Sequence, residues 1–264
     1  WYLRWFDYWL RGRGDGLASM PRYLVYVIGE ERWLEASEWP PTEVRFEKWY
    51  LGSVGGANGR KGDGFLSVAQ PSVGARAYDE FNYDPANPVP TRGGPACCTG
   101  LPDEKQGPTD QTAVEEREDV LVYTSAPLEK PLRIAGPLAA TLQVSSSALD
   151  TDFVVRLVHV WPDGRSTNIQ EGALRARYRN GINRPELLQP GNPVDLQVDV
   201  RSIAYTIPQG HRLRLHVTSS SFPRLERNLN TGGRNFDESV GIVATNRVYH
   251  GPGQVSFIRL PILP

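Results

Sequence analysis

The chain has 264 residues, and its 29 Lys and Arg stand against 30 Asp and Glu for a formal net charge of -1. So even a balance excludes a general nucleic-acid binder, which needs a basic footprint, and gives no reason to expect an anionic membrane surface as partner. Glycine (26) and proline (22) accompany 39% hydrophobic residues, as in a folded, turn-rich chain rather than a disordered one; no run approaches the roughly 18 apolar residues of a membrane helix.

The first ten residues, WYLRWFDYWL, set Trp1, Trp5 and Trp9 on one helical stripe beside Tyr2 and Phe6. Gly12, Gly14 and Gly16 should end that helix. A helix this aromatic needs a surface to pack on. Because the pattern begins at Trp1 without a Met or a leader, that surface is expected upstream of this sequence. From Pro21 the pattern turns to β, with strands expected over 22–28 and 43–51. The glycine-rich GSVGGANGRKGDG (52–64) lacks the ending of a phosphate-binding loop and reads as a surface hairpin loop. Residues 82–110, rich in Pro, Gly and Asn, read as a long irregular segment.

Strands are then expected over 119–125, 137–146, 151–161, 165–172, 173–179, 193–200, 211–219 and 242–250, separated by turn signals such as Pro162-Asp163-Gly164 and Pro208-Gln209-Gly210. Many short strands without alternating helices predict an all-β sandwich or barrel. Val194, Leu196, Val198 and Val200 share one face, as do Leu213, Leu215 and Val217, so Arg212, Arg214 and His216 should face out. If those two strands are neighbours, outward Asp195 and Asp199 would pair with the arginines. The strand at 151–161 is apolar on both faces and must be covered on both, which points to a second body on the sandwich.

The chemistry-bearing motifs are sparse. No GxSxG elbow or SxxK pair occurs, and His211 and His216, five apart, would point to opposite faces of a strand. No catalytic residue is assigned. There is no HExxH and no EF-hand loop, and no metal or cofactor site is expected. Asp150 and Asp152 are read as ion-pair partners of a row of arginines, Arg175 and Arg177 chief among them, rather than as calcium ligands. The vicinal Cys97 and Cys98 make no disulfide framework. NLNTGG (228–233) reads as a rigid loop, with a carbohydrate-binding alternative resting on nearby Phe222 and Phe236.

The motifs WFDYWLRG (5–12), EWPP (38–41), FNYDPANPVPTRGG (81–94), DQTAVEEREDVLVYTS (110–125), SSSALDTDF (145–153), WPDGRS (161–166), LRARYR (174–179), GHRLRL (210–215), SSSFPRLERNLNTGG (219–233) and LPILP (260–264) together resemble the C-terminal part of the X-Pro dipeptidyl-peptidase and cocaine-esterase-like (CocE/NonD) serine hydrolases. The resemblance implies a jelly-roll β-sandwich of the galactose-binding-like type over 19–264. Residues 1–18 would be the last helix of an upstream α/β-hydrolase domain that carries the catalytic serine, acid and histidine. It further implies that the sandwich docks on that domain, its partner, and helps wall a pocket for a small ester or peptide substrate. Contacts between copies of the chain are a further partner class it leaves open, and it does not say whether the protein is cytoplasmic or secreted. The wall would be Arg92, Gly93 and Gly94, where glycine lets backbone approach closely, together with Cys97 and Cys98. That this loop only seals the domain interface is an equal alternative. A stand-alone glycan- or ligand-binding sandwich is the competing function.

Overall fold

A computed structural model of the chain describes residues 1–14, 17, 20–71, 77–95, 105–234, 236–251 and 253–264. The N-terminal helix α1 (Tyr2–Arg11) ends at Gly12, whose left-handed φ of 58° suits glycine, and none of its residues is buried. Strands β1 (Tyr23–Val27) and β2 (Arg32–Ala36) form a separate antiparallel hairpin.

The other eleven strands make the sandwich: β3 (Arg45–Gly52), β4 (Phe65–Ser67), β5 (Tyr78–Tyr83), β6 (Leu121–Thr124), β7 (Leu132–Ser146), β8 (Asp152–Val160), β9 (Ser166–Arg175), β10 (Val194–Ile207), β11 (Arg212–Thr218), β12 (Ala244–Tyr249) and β13 (Phe257–Ile262). They are hydrogen-bonded in the order β5-β12-β7-β13-β3-β4-β6-β11-β8-β9, with β10 also on β7. The 15-residue β7 is the spine of one layer, pairing with β10, β12 and β13. The other layer is β6-β11-β8-β9, and the parallel contact between Phe65 and Thr124 joins the two. Alternate residues of both layers meet in one core: Leu142, Val144, Leu196 and Val198 from the first, Phe153, Val155, Leu157, Leu213 and Leu215 from the second.

Several elements differ from the sequence expectation. Residues 173–179 are not a strand of their own: β9 continues to Arg175, and a 3-10 helix (Ala176–Tyr178) follows. Strand β10 runs well past Val200, through a register shift between Asp199 and Ser202 where Arg201 takes a φ of 65°. Because β10 pairs with β7 and β11 with β6 and β8, the supposed Asp–Arg pairing across β10 and β11 does not occur. Asp195 instead accepts from the Gln143 amide, and Arg214 binds Glu115. The glycine-rich stretch does close a hairpin between β3 and β4, but Ser53 and Ala57 within it are buried.

The doubly apolar strand β8 is covered by the chain itself. Residues 85–95 and 107–120, including the short helix α2 (Thr112–Glu115), lie over the outer face of β6, β11, β8 and β9. Val89 and Val114 pack there on Val120 and Val122. The side chains of Arg214 and His216, expected to face water, are buried beneath this cover. Much of the segment expected to be irregular is therefore a structural layer, and its first two residues, Asn82 and Tyr83, finish β5.

Candidate functional site

The cover rests on a buried polar layer, because alternation in β8, β9 and β11 sends Arg156, Glu171, Arg214 and His216 to the face opposite the core. On α2, the Glu115 carboxylate accepts from Arg214 Nη1 at 2.6 Å and from His216 Nε2 at 3.0 Å. Burial pushes the Glu115 carboxyl up, but the His216 and Arg214 contacts outweigh it and hold it at about 2. Burial, with the charges of Arg156 and Arg214, lowers the His216 pKa in spite of Glu115. Nearby, Glu171 accepts from Arg156 Nε at 2.7 Å and from Arg224 Nη2. Burial raises that carboxyl, and the two guanidiniums more than reverse it.

The segment Val89–Gly94 lies above this layer. Its N-terminal half is stitched to residues 220–224: Val89 N donates to Ser220 Oγ (2.8 Å), Phe222 N to Val89 O (2.9 Å), and Thr91 N to Phe222 O (2.7 Å). Its C-terminal half is held by Gln111, whose Nε2 donates to the carbonyl of Arg92 at 2.9 Å, and by reciprocal bonds between Gly94 and Gly107 at 2.8 and 2.9 Å. Gly93 and Gly94 both have positive φ (67° and 74°). A Cβ at Gly93 would stand 2.5 Å from the carbonyl oxygen of Gly107. Glycine is thus required there on both conformational and steric grounds. The Arg92 side chain is exposed while its backbone carbonyl is tied down. Cys97 and Cys98 lie outside the described residues.

Asp150 and Arg177 are brought together, Oδ2 accepting from Nε at 2.7 Å, and Asp152 is bound by Arg175 at 2.8 and 3.1 Å. Asn228 donates to both carboxylates, at 2.8 and 2.7 Å. Burial raises the Asp152 carboxyl pKa despite Arg175 and Asn228. The polar groups of NLNTGG are therefore spent inside the protein: Asn228 and Asn230 are buried, and the Asn230 amide donates to Ile242 O at 2.7 Å. This loop offers few free polar groups to a sugar.

A serine, a histidine and an aspartate do meet at Ser53, His250 and Asp79, but not as a catalytic set. Ser53 Oγ lies 2.7 Å from Asp79 Oδ1 and 3.0 Å from His250 Nε2, and that same ring nitrogen lies 3.1 Å from Asp79 Oδ2. A triad needs the acid and the serine on opposite nitrogens of the ring. Here the serine hydroxyl donates to the carboxylate, and all three groups are buried. Asp79 also accepts from Ala57 N and Tyr123 Oη, at 3.1 and 2.8 Å. The cluster anchors the glycine-rich loop. Among the described residues no group of three or more His, Cys, Asp or Glu is placed to hold a metal ion. An open cleft of about 590 Å³ beside Asn58, Glu80, Asp84 and Arg117 is polar. Its groups already serve the fold: Arg117 is bound by Asp119 and the Asn87 carbonyl, and the Asn58 amide by the Glu80 and Glu118 carbonyls.

Compared with known proteins, residues 15–259 match the X-Pro dipeptidyl-peptidase C-terminal non-catalytic domain. The chain is 38% identical over 260 residues to a cocaine esterase of Rhodococcus sp. (strain MB1 Bresler), covering 98% of this chain and 44% of that protein. Among solved structures, an aminopeptidase from a marine-sediment Thaumarchaeota archaeon superposes with a TM-score of 0.86 at 29% identity, over 100% of this chain and 43% of that one. An α-amino acid ester hydrolase gives 0.82 at 30% identity, over 98% and 44%. The chain thus spans less than half the length of each relative.

Proposed function

The chain belongs to the family of X-Pro dipeptidyl-peptidase C-terminal non-catalytic domains, and on that premise we propose that it is the C-terminal β-sandwich of a serine hydrolase. The parent cleaves an ester or amide through an acyl-enzyme, with its nucleophile, base and oxyanion hole on an α/β-hydrolase domain outside these 264 residues. On this reading residues 1–18 are the last helix of that domain, whose catalytic part lies elsewhere, and 19–264 are the sandwich domain. Trp1, which caps α1, and Trp5 and Trp9 within it are more than half exposed, an aromatic face suited to packing on the catalytic domain.

The sandwich contributes a wall of the substrate pocket through Val89–Gly94 and the Cys97-Cys98 stretch that follows. The observation that carries this reading is the anchoring of that segment. Its backbone is fixed from both ends by buried side chains, and two glycines allow a close approach. Loops that carry function are held this way by a rigid scaffold. The supply of esterases and an aminopeptidase among the relatives fits acyl transfer as the reaction class.

Fluorophosphonate labelling tests the division of labour. The folded 264-residue chain is expected to take no label, and the whole hydrolase to take one on a serine outside this region. A stoichiometric label on Ser53, or on any other serine here, overturns the reading.

A further inference from the structure

Strand residues three apart ordinarily face opposite sides of a sheet. Asn168 and Glu171 of β9 do not, because the register slips between them: Glu171 is opposite Arg156 and Gln170 opposite Leu157, but Asn168 is opposite Val158. Ile169 is the extra residue of a bulge. Arg156 and Val158 share the outer face of β8, so the bulge turns both Asn168 and Glu171 toward the cover.

Each of the two then supports one half of Val89–Gly94. Asn168 Oδ1 accepts from Thr109 N at 2.8 Å and from Gln111 Nε2 at 3.1 Å, and the same Gln111 amide holds the Arg92 carbonyl. The Asn168 amide reaches Gly107 O at 3.3 Å, at the residue bridged to Gly94. On the other side, Glu171 binds Arg224 and lies 3.4 Å from Ser221 Oγ. Thr91 Oγ1 closes that arm, accepting from Arg224 N at 3.2 Å and lying 3.2 Å from Ser221 Oγ. The buried Arg156 guanidinium completes the Glu171 cluster, yet its Nη1 has no hydrogen-bond partner among the described residues. A buried ion cluster with an unspent donor is a poor source of stability. It does fix the geometry of everything bonded to it.

We infer that Asn168 and Glu171, brought to one face by the bulge at Ile169, are positioning residues that set the shape of the substrate pocket through Val89–Gly94. The inference rests on the wall reading of that segment. Displacements of about 1 Å in a substrate-contacting segment are enough to alter turnover or binding by one to two orders of magnitude.

The test uses Glu171→Gln, Asn168→Ala and the milder Thr91→Val in the whole hydrolase, with Asp150→Asn, whose partners Arg177 and Asn228 belong to neither arm, as a destabilised control. All are compared by amide hydrogen exchange on the folded protein. The expected result is faster exchange at the amides of Thr91, Gly94 and Gly107, with KM for a small ester raised about five- to tenfold and kcat within about twofold. Asp150→Asn should leave KM unchanged. If exchange at those amides does not change, the positioning role is wrong while the wall reading survives. If exchange quickens but KM and kcat stay as in the wild type, the segment is not a pocket wall, and the inference falls with the reading it rests on.

Discussion

Glu115→Gln tests whether the buried layer is held by charge. The variant keeps the side-chain volume and removes the carboxylate that Arg214 and His216 share. A carboxyl held at about 2 in the folded chain against an ordinary 4.5 contributes about 3 kcal/mol at neutral pH, at about 1.4 kcal/mol per pH unit. The folded value is the lower one, so this contribution is complete above pH 4.5 and is lost as pH falls toward 2. Arg214 remains buried and charged in the variant, which adds to the cost. Urea unfolding of the 264-residue chain should show the variant less stable by about 3 kcal/mol at pH 7. By pH 3 the same linkage leaves a difference of only about 1.4 kcal/mol. A loss below about 1 kcal/mol at pH 7, or one equal at pH 7 and pH 3, would refute the assignment of that stability to an ionised Glu115.

Three further outcomes follow from other parts of the fold. Asp150→Ala leaves Arg177 Nε without its acceptor and the Asn228 amide with Asp152 alone and should cost about 3–5 kcal/mol, read from the urea midpoint; pairing it with Arg177→Met in a double-mutant cycle should recover part of that loss. Gly172→Ala would drive a methyl into the Asp199 carbonyl where β9 crosses β10. A cost of about 2 kcal/mol or more is expected, seen as a lowered Tm, and an unchanged Tm would contradict the close approach. His159 stacks on Trp161 with centroids 4.7 Å apart and bonds Tyr205 and His211. Burial first, then the charges of His211 and Arg165, lower its pKa to about 4. Its ring resonances should titrate near pH 4, and the stability tied to the neutral ring should fall as pH drops from 6.5 through 4; a midpoint above 6 would contradict the burial.

How much of this was legible in the sequence follows from what periodicity encodes. Period-two alternation marks which residues of a strand share a face, and Leu213, Leu215 and Val217 duly enter the core. It does not say which strands are neighbours, so β10 and β11 seemed candidates for pairing although β10 lies on β7. Nor does it show what covers the opposite face. Arg214 and His216 read as exposed because a charged residue on a strand usually is, and only the fold brings Glu115 over them. The covering residues 85–95 and 107–120 carry almost no period, since their backbone is held by side chains such as Gln111 and Ser220 rather than by a ladder. β13 was missed for a related reason: Pro261 within FIRLPI argues against a strand, yet β13 takes it at a register irregularity against β7.

The candidate site was legible in part and for a narrower reason. Gly93 and Gly94 are reached through the family resemblance of the PTRGG motif; the structure gives both a positive φ and Gly93 a close approach to Gly107. Asn168 and Glu171 gave no such signal. In TNIQEG the two side chains fall on opposite faces under strict alternation, and a one-residue bulge leaves no mark when its extra residue is an ordinary isoleucine. The bulge matters more than either side chain alone. At a spacing of three, strict alternation would turn one of the two supports into the apolar core, and the extra residue Ile169 is what brings both back to one face. The glycines allow the approach of Val89–Gly94, and the bulge is what lets a single strand hold both of its halves at once.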